Sequence, residues 1–208
     1  PGAEEAPVLL EVRDLSTHFV EDRNLIERLL GRPQEAVRAV NNVSLQIQRG
    51  ETLGLVGESG CGKTTLARTI LGLLPPTAGQ ILYSGRDLTD IPSAELRRMR
   101  SRIQMIFQDP YSGLSPRLTV SYLLTEPYSI HRVPEAERYT VGELLRMVGL
   151  SDELANKYPH ELSGGQARRV GVARALSLHP DFLIADEPTS GLDVSVAASV
   201  LNLLKDLG

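Results

Sequence analysis

The chain has 208 residues, 41% of them hydrophobic and 23% charged, which is the balance of an ordinary globular protein. Its net charge of −4 gives no overall basic footprint for nucleic acid, and a single cysteine, Cys61, excludes an internal disulfide. No apolar run reaches the roughly 20 residues that a membrane-spanning helix requires.

The first quarter of the chain predicts β-structure. Two short segments, Leu9–Val12 and Thr17–Val20, and an alternating segment, Val37–Ile47, have the pattern of strands. Residues 21–36 are polar and charged around a few apolar side chains, and we interpret them as an excursion or a short helix. The apolar run Glu51–Val56 is predicted to be a buried strand that leads into a glycine-rich loop.

That loop, Gly57–Thr64, fits the pattern G-x-x-x-x-G-K-S/T of a phosphate-binding P-loop. Its glycines let the backbone turn tightly and approach a ligand, its N–H groups form an anion nest, and the following helix adds its positive end. Lys63 would bring charge to the β- and γ-phosphates, and the Thr64 hydroxyl would bind Mg²⁺. The predicted phosphate-binding residues are Gly57, Ser59, Gly60, Cys61, Gly62, Lys63, Thr64 and Thr65. Cys61 is either a small residue that fits the loop or a redox-sensitive thiol.

The next segments alternate between helix and strand. Thr65–Leu74 has helical spacing, Gln80–Gly85 predicts a strand and a turn, Ser93–Ser101 predicts a short helix, and Ile103–Phe107 predicts an apolar strand. The short helix contains a basic cluster that is either a solvated face or a contact with a partner or lipid headgroups. The cluster consists of Arg97, Arg98, Arg100 and Arg102.

The second half is helical at first. Residues 111–160 contain four prolines and no strand pattern, which indicates an inserted helical subdomain. A helix is predicted from Leu162–Gln166 to about Leu178, then a buried strand at Asp181–Asp186 and an amphipathic helix at Ser195–Leu207. Strands that alternate with helices around a P-loop predict a parallel α/β sheet, in which ligands bind at the carboxyl ends of the strands.

Acidic and amide side chains follow two of the predicted strands. Asp186 ends an apolar strand, where its carboxylate would hold Mg²⁺ beside the phosphates. Glu187 would orient and deprotonate an attacking water. Gln108 would contact both the metal ion and the water without adding charge. The simpler alternatives are two acids that cap a surface strand and an ordinary loop glutamine.

A serine and two glycines at a helix start predict a second anion site. Ser163 supplies a hydroxyl, and the exposed N–H groups of the first helical turn supply donors. By itself this string is a helix-starting turn. Two phosphate sites far apart in one chain predict a nucleotide shared between two subunits. The second site consists of Ser163, Gly164, Gly165 and Gln166.

Together these motifs resemble the nucleotide-binding domain of an ABC transporter ATPase. Gly57–Thr64 resembles its P-loop, Gln108 its Q-loop, Leu162–Gln166 its signature, Phe182–Glu187 its Walker B strand and Ser190–Asp193 its D-loop. The oligopeptide and dipeptide importers of bacteria are similar in four longer strings. These are Gly54–Lys63, Ile103–Pro110, Tyr158–Leu162 and Leu192–Ser195.

The resemblance implies an α/β fold: the parallel-sheet core of an ABC-type P-loop NTPase, with an N-terminal antiparallel β subdomain and an inserted α-helical subdomain. It implies one nucleotide-binding domain at 1–208. Residues 1–108 and 170–208 would form the RecA-like core with the β subdomain. Residues 109–169 would form the helical subdomain that carries the signature motif.

The resemblance also implies an activity and its site. ATP, with Mg²⁺ held by Thr64, Gln108 and Asp186, would be hydrolysed by Glu187, Gln108 and Lys63. Two such domains, identical or related, would face each other, with each ATP between Lys63 of one and Ser163–Gln166 of the other. Asp193 would contact the opposite P-loop. Phe19 would stack on adenine, although a plain core phenylalanine is the alternative.

The implied partners belong to a membrane transporter. Residues 109–160 would carry a groove for permease subunits, and an extracytoplasmic substrate-binding protein would act indirectly. The domain would lie peripherally on the cytoplasmic face of the inner membrane, with no nucleic acid as partner.

Two other functions compete with import. One is a soluble ABC-type ATPase that acts on nucleic acid or ribosomes, and the other is a catalytically idle binding partner. We also expect the chain to be a piece of a longer protein, because the family's switch histidine lies beyond Walker B and none of the four histidines is placed to substitute for it. The isolated piece is expected to be poorly stable or poorly active.

Overall fold

The computed structural model describes residues 6–20, 36–109 and 111–187. The chain divides into two compact units, 1–96 and 97–208. Most of the predicted excursion at 21–36, the D-loop Ser190–Asp193 and the helix at Ser195–Leu207 lie outside the described residues. The predicted division into a core and a helical subdomain at 109–169 stays a prediction.

An antiparallel sheet of four strands lies in the first unit. The strands are β1 Val8–Val20, β2 Ala36–Gln48, β3 Ala78–Tyr83 and β4 Arg86–Asp87, and their order in the sheet is β2-β1-β3-β4. Strand β1 lies between β2 and β3 and buries Leu10, Val12 and Leu15. The two short segments predicted at its ends are therefore one strand. The strand accommodates a register shift at Asp14, which adopts a left-handed backbone with φ 45°.

Two helices follow in this part of the chain. Helix α1 Lys63–Ile70 belongs to the first unit, and helix α2 Ser93–Arg102 crosses the boundary at residue 96. Helix α1 buries Leu66 and Ile70, and the Thr69 hydroxyl hydrogen-bonds the Thr17 hydroxyl of β1 at 3.1 Å. This contact attaches the helix that follows the P-loop to the central strand of the sheet.

The strand predicted at Glu51–Val56 is wrong. This segment pairs with no strand among the described residues and is exposed throughout, with 95% of Val56 accessible. The apolar composition is that of a strand buried on both faces. A parallel strand, however, takes its hydrogen bonds from segments distant in sequence, so its pattern alone could not establish that a neighbour pairs with it.

The second unit combines a pair of parallel strands with helices. Strands β5 Ile103–Ile106 and β6 Phe182–Ala185 pair in parallel, with Ile106 opposite Ala185. The helices between them are α3 Val120–His131, α4 Val141–Met147 and α5 Gly164–Leu176. Three short 3-10 turns accompany them at Glu135–Glu137, Asp152–Asn156 and Pro159–Glu161.

A hydrophobic core holds the helices of the second unit together. It includes Leu123 and Leu124 of α3, Leu144 of α4 and Val170 of α5, all at most 1% exposed. The predicted parallel pairing and the absence of strands between described residues 111 and 160 are both confirmed. Among the described residues, no helix combines the length and apolarity needed to cross a membrane.

Candidate functional site

The P-loop backbone has the tight curvature that its glycines predict. Gly60 and Gly62 adopt left-handed conformations with φ 82° and 101°. A Cβ on Gly62 would collide with the backbone carbonyl oxygen of Ala39 on β2. Gly62 is therefore required both for its conformation and for the close approach of the loop to the sheet.

Lys63 lies across the loop that precedes it. Its Nζ donates hydrogen bonds to the carbonyl oxygens of Gly57 at 2.8 Å and Glu58 at 2.7 Å, and lies 3.8 Å from Sγ of Cys61. An ammonium group has three donors. Two of them fix the charge over the loop, and the contact with sulfur is weak, so a third donor can turn toward a phosphate oxygen.

The start of α1 adds further donors at the same place. Gly62 is the N-cap residue and makes no side-chain cap hydrogen bond, and the positive end of a helix suits an anion. Thr64 and Thr65 are half-buried at this helix end, whereas Ser59 and Cys61 are exposed.

Phe19 lies on the same sheet, on the strand next to β2. It pairs with Val37 of β2, and the two side chains are 43% and 60% exposed. Val37 lies two residues before Ala39, the residue that the P-loop touches at Gly62. The exposure disfavours the alternative of a plain core phenylalanine. An accessible aromatic face near the P-loop suits the stacking of a base.

In the second unit, Gln108 and Glu187 are brought together at the carboxyl ends of β5 and β6. The side-chain amide Nε2 of Gln108 donates to Oε2 of Glu187 at 2.7 Å. Asp186, which is 9% exposed, extends the ladder by donating its backbone N–H to the Ile106 carbonyl at 3.0 Å. The parallel pairing therefore places these three predicted residues side by side, as the rule for strand ends implies.

Glu187 adopts an unfavourable backbone conformation. Its φ is 45°, which lies in the left-handed region that residues other than glycine rarely adopt. Such strain costs on the order of 1–3 kcal/mol and occurs often at functional sites. The hydrogen bond from Gln108 is one of the contacts that stabilise it.

Arg168 was not predicted from the sequence to take part in this site. It is 3% exposed and donates to the carbonyl oxygens of Glu187 at 2.9 Å and Gln108 at 2.7 Å. Burial lowers the pKa of its guanidinium, and the charge of Asp109 opposes that shift. The available signal was its spacing: Arg168 lies four residues before Val172 and seven before Ala175 on the buried face of α5.

The predicted second anion site forms the start of α5. Ser163 is the N-cap, its Oγ accepts from the Gln166 N–H at 3.2 Å, and the Gln166 side chain accepts from the Ser163 N–H at 2.9 Å. This capping box leaves the N–H groups of Gly164 and Gly165 without an intrahelical acceptor. A Cβ on Gly164 would have nothing within 4 Å, so packing against the described residues does not require glycine there.

Tyr111 connects the segment after Gln108 with the beginning of the second anion site. Its hydroxyl donates to the carbonyl oxygen of Leu162 at 3.1 Å. No sequence pattern predicts this contact, because an exposed tyrosine in a loop can have many different roles.

The predicted metal ligands have the chemistry that Mg²⁺ prefers. They supply a hydroxyl from Thr64, an amide oxygen from Gln108 and a carboxylate from Asp186, all of which are hard oxygen donors. Since Nε2 of Gln108 is used by Glu187, its amide oxygen is the atom that can turn to a metal ion. The roles of all these residues stay predictions, and Asp193 lies outside the described residues.

Comparisons with known proteins agree on one family. A family model described as ABC transporter matches residues 40–190. The chain is 46% identical over 202 residues to the oligopeptide transport ATP-binding protein AppF of Bacillus subtilis, covering 96% of this chain and 60% of AppF. It is 46% identical over 208 residues to OppF of Salmonella typhimurium, covering 98% of this chain and 61% of OppF.

Solved structures give the same result for the fold. A dimeric structure of the ATP-binding cassette MJ0796, in a post-hydrolysis state bound to ADP and Pi, superimposes with a TM-score of 0.80 at 29% identity. The match covers 96% of this chain and 82% of MJ0796. The predicted ABC-type fold is thereby confirmed.

The chain spans about 60% of the length of the curated relatives it matches. The family match covers most of the chain and contains the P-loop, Gln108, the signature string and Glu187. The chain therefore belongs to the ABC transporter family.

Proposed function

We propose that the protein containing this chain binds ATP with Mg²⁺ and hydrolyses it to ADP and phosphate to drive the import of peptides. The hydrogen bond between Gln108 and Glu187 is the observation that carries the hydrolysis part. It places a neutral amide and a carboxylate in contact at two adjacent strand ends, which suits the orientation and deprotonation of water.

Binding would begin at the P-loop. Lys63, held by two carbonyl oxygens of its own loop, would donate to the β- and γ-phosphates, and the start of α1 would supply backbone N–H groups. Phe19 would stack on the adenine. Mg²⁺ would neutralise charge on the phosphates, and Thr64, Gln108 and Asp186 would hold it.

Hydrolysis would use the pair at the strand ends. One carboxylate oxygen of Glu187 accepts from Gln108, which leaves the other oxygen to accept a proton from the attacking water. The Gln108 amide would orient that water. A positioned general base contributes roughly 10²- to 10⁴-fold to the rate, so Glu187 would account for most of the turnover.

The start of α5 supports a composite site. Gly164 has open space where a Cβ would be, and the first N–H groups of α5 are not used within the helix. We propose that Ser163–Gln166 binds the γ-phosphate of an ATP held by the P-loop of a second nucleotide-binding domain, with Asp193 contributing to that interface. The MJ0796 cassette is described as dimeric and as bound to ADP and Pi.

The proposal of peptide import, and of the partners for it, is based on the similar proteins. AppF and OppF are described as oligopeptide transport ATP-binding proteins, and these relatives give no support to the alternative of a nucleic-acid or ribosome ATPase. We propose permease subunits as direct partners and an extracytoplasmic binding protein as an indirect one. The protein would lie peripherally on the cytoplasmic face of the membrane.

The test is reconstitution of the native protein with its permease subunits and binding protein in liposomes. ATP hydrolysis together with uptake of a labelled oligopeptide is the expected result, and uptake should stop when ATP is replaced by a non-hydrolysable analogue. ATP hydrolysis that drives sugar or metal uptake but no peptide uptake would refute the substrate class. Absence of hydrolysis in an otherwise intact complex would refute the ATPase.

A further inference from the structure

Arg168 is a cation buried in a helix face that is otherwise apolar. It is 3% exposed, and Val172 and Ala175, which share its face of α5, are at most 4% exposed. Removing a charge from water is unfavourable unless hydrogen bonds replace the lost hydration. Because an apolar side chain would pack there without that cost, packing alone does not account for an arginine.

The hydrogen bonds of Arg168 explain why an arginine occupies this position. One terminal nitrogen donates to the carbonyl oxygen of Gln108 and the other donates to that of Glu187. A guanidinium presents its donors in a rigid planar fork, so these two carbonyl oxygens are held at a fixed separation. An ammonium would have to reach both carbonyl oxygens from a single nitrogen, so it would hold their separation less firmly.

One of the two residues that the guanidinium binds has an unfavourable backbone conformation. Glu187 is left-handed with φ 45°, and Pro188 follows it in the sequence, which biases a preceding residue toward extended conformations. Arg168 holds the Glu187 carbonyl, and Gln108 holds the Glu187 carboxylate. The two bonds together fix both the backbone and the side chain of the residue.

Arg168 also lies on the helix that begins with the second anion site. Ser163 and Arg168 are five residues apart, about 7.5 Å along the axis of a helix. Tyr111 makes a second connection between the same two regions through the Leu162 carbonyl. A displacement of the start of α5 would therefore be passed directly to Gln108 and Glu187.

We propose that Arg168 is a positioning residue for hydrolysis, whose guanidinium holds Gln108 and Glu187 in the arrangement that receives the attacking water. This inference rests on the proposed ATPase function. Arg168 touches no reacting atom and acts on hydrolysis through these two residues. It also couples them to the helix that would contact the second nucleotide.

The experiment compares Arg168→Met with Arg169→Met in the native protein. Methionine keeps an apolar stem of similar length and removes every donor. Arg169 is a matched control because its guanidinium also donates to backbone carbonyls, those of Val148 and Gly149 at 3.3 and 3.5 Å, and it touches neither Gln108 nor Glu187.

The expected result for Arg168→Met is a fall in kcat of roughly 10- to 100-fold, the size of effect produced by small misplacements of catalytic groups. The Kd for ATP should stay within about twofold of the wild type, because the P-loop is intact. Arg168→Lys should recover part of kcat. Arg169→Met should keep the kcat of the wild type.

A double-mutant cycle separates positioning from general destabilisation. In a Gln108→Ala background, Arg168→Met should cost much less in kcat than it does in the wild type, because residues that act as a unit are not additive. If Arg168→Met does not fold, Arg168→Lys is used in the same cycle. Additive losses, or equal losses in Arg168→Met and Arg169→Met, would overturn the proposal.

The wild type and Lys63→Ala are measured alongside. A wild type without ATP turnover would refute the proposed function itself. A wild type that turns over ATP, loses that turnover in Lys63→Ala and keeps it in Arg168→Met would refute the inference about Arg168 alone.

Discussion

Gln108 and Glu187 lie 79 positions apart in the chain and are joined by a hydrogen bond of 2.7 Å between Nε2 and Oε2. The bond exists because β5 and β6 pair in parallel, with Ile106 opposite Ala185. Each side chain follows the end of its strand, so the register of the pair sets their separation.

Replacement of the proposed base tests this pair directly. We expect Glu187→Gln to lower kcat for ATP hydrolysis by roughly 10²- to 10⁴-fold. ATP binding should persist, because glutamine keeps an oxygen that accepts from Gln108 but cannot take a proton from water. Phosphate release and equilibrium binding of ATP measure the two effects. Size-exclusion chromatography should also show an ATP-dependent dimer of the intact variant.

The control for this change is Glu153→Gln, an exposed glutamate in a 3-10 turn of the same unit. It should keep full turnover. Turnover of Glu187→Gln at the control rate would remove Glu187 as the base.

The P-loop assignment is tested through Lys63. Hydrogen bonds to charged groups contribute about 1.5–3 kcal/mol, so Lys63→Ala should weaken ATP binding by roughly 10- to 100-fold. Lys157→Ala removes another lysine ammonium, one that pairs with Glu161 at 3.3 Å, and should leave the Kd for ATP unchanged. Equal affinities for ATP in the two variants would contradict the assignment.

Substitutions at two glycines of α5 can distinguish an effect on ATP hydrolysis from an effect on stability. A Cβ would meet nothing within 4 Å at Gly164 or at Gly171, and alanine favours helix over glycine by up to about 1 kcal/mol. Both Gly164→Ala and Gly171→Ala should therefore be as stable as the wild type or more so in urea unfolding. Only Gly164→Ala should lose turnover, by about tenfold or more, because its methyl group would occupy the space of the phosphate.

If Gly164→Ala and Gly171→Ala hydrolyse ATP equally well, the start of α5 does not bind nucleotide. A loss of stability in Gly164→Ala would instead show that the glycine has a structural role.

Much of the architecture was predictable because local patterns determine it. The alternation in Val37–Ile47 predicted β2, and the string Ser163–Gln166 predicted the start of α5. Both depend on interactions within a few residues. The exposed segment 51–56 was mispredicted because its apolar composition says nothing about a distant pairing partner.

The candidate site was predictable in its motifs but not in its connections. Gln108 and Glu187 were identified individually from strand ends, and their contact required the parallel register. Arg168 and Tyr111 act on backbone carbonyls. Every residue has a backbone carbonyl group. No sequence motif therefore indicates which side chain will donate to a particular carbonyl oxygen. These contacts are properties of the folded chain alone.

A capping box formed by Thr140 and Glu143 begins α4. The Glu143 carboxylate accepts hydrogen bonds from the backbone N–H and the hydroxyl of Thr140, both at 2.7 Å, and the backbone bond, followed by the hydroxyl bond, lowers the pKa of Glu143. The folded pKa is therefore below the unfolded value of about 4.3. The stabilisation is fully present above that value and is lost as pH falls through the folded pKa.

Glu143→Ala should lower Tm at pH 7, and the difference in Tm from the wild type should shrink toward pH 3. Calorimetry across this range, with the exposed Glu135→Ala as control, measures the effect. A difference that stays constant with pH would mean that the ionised carboxylate does not stabilise the cap.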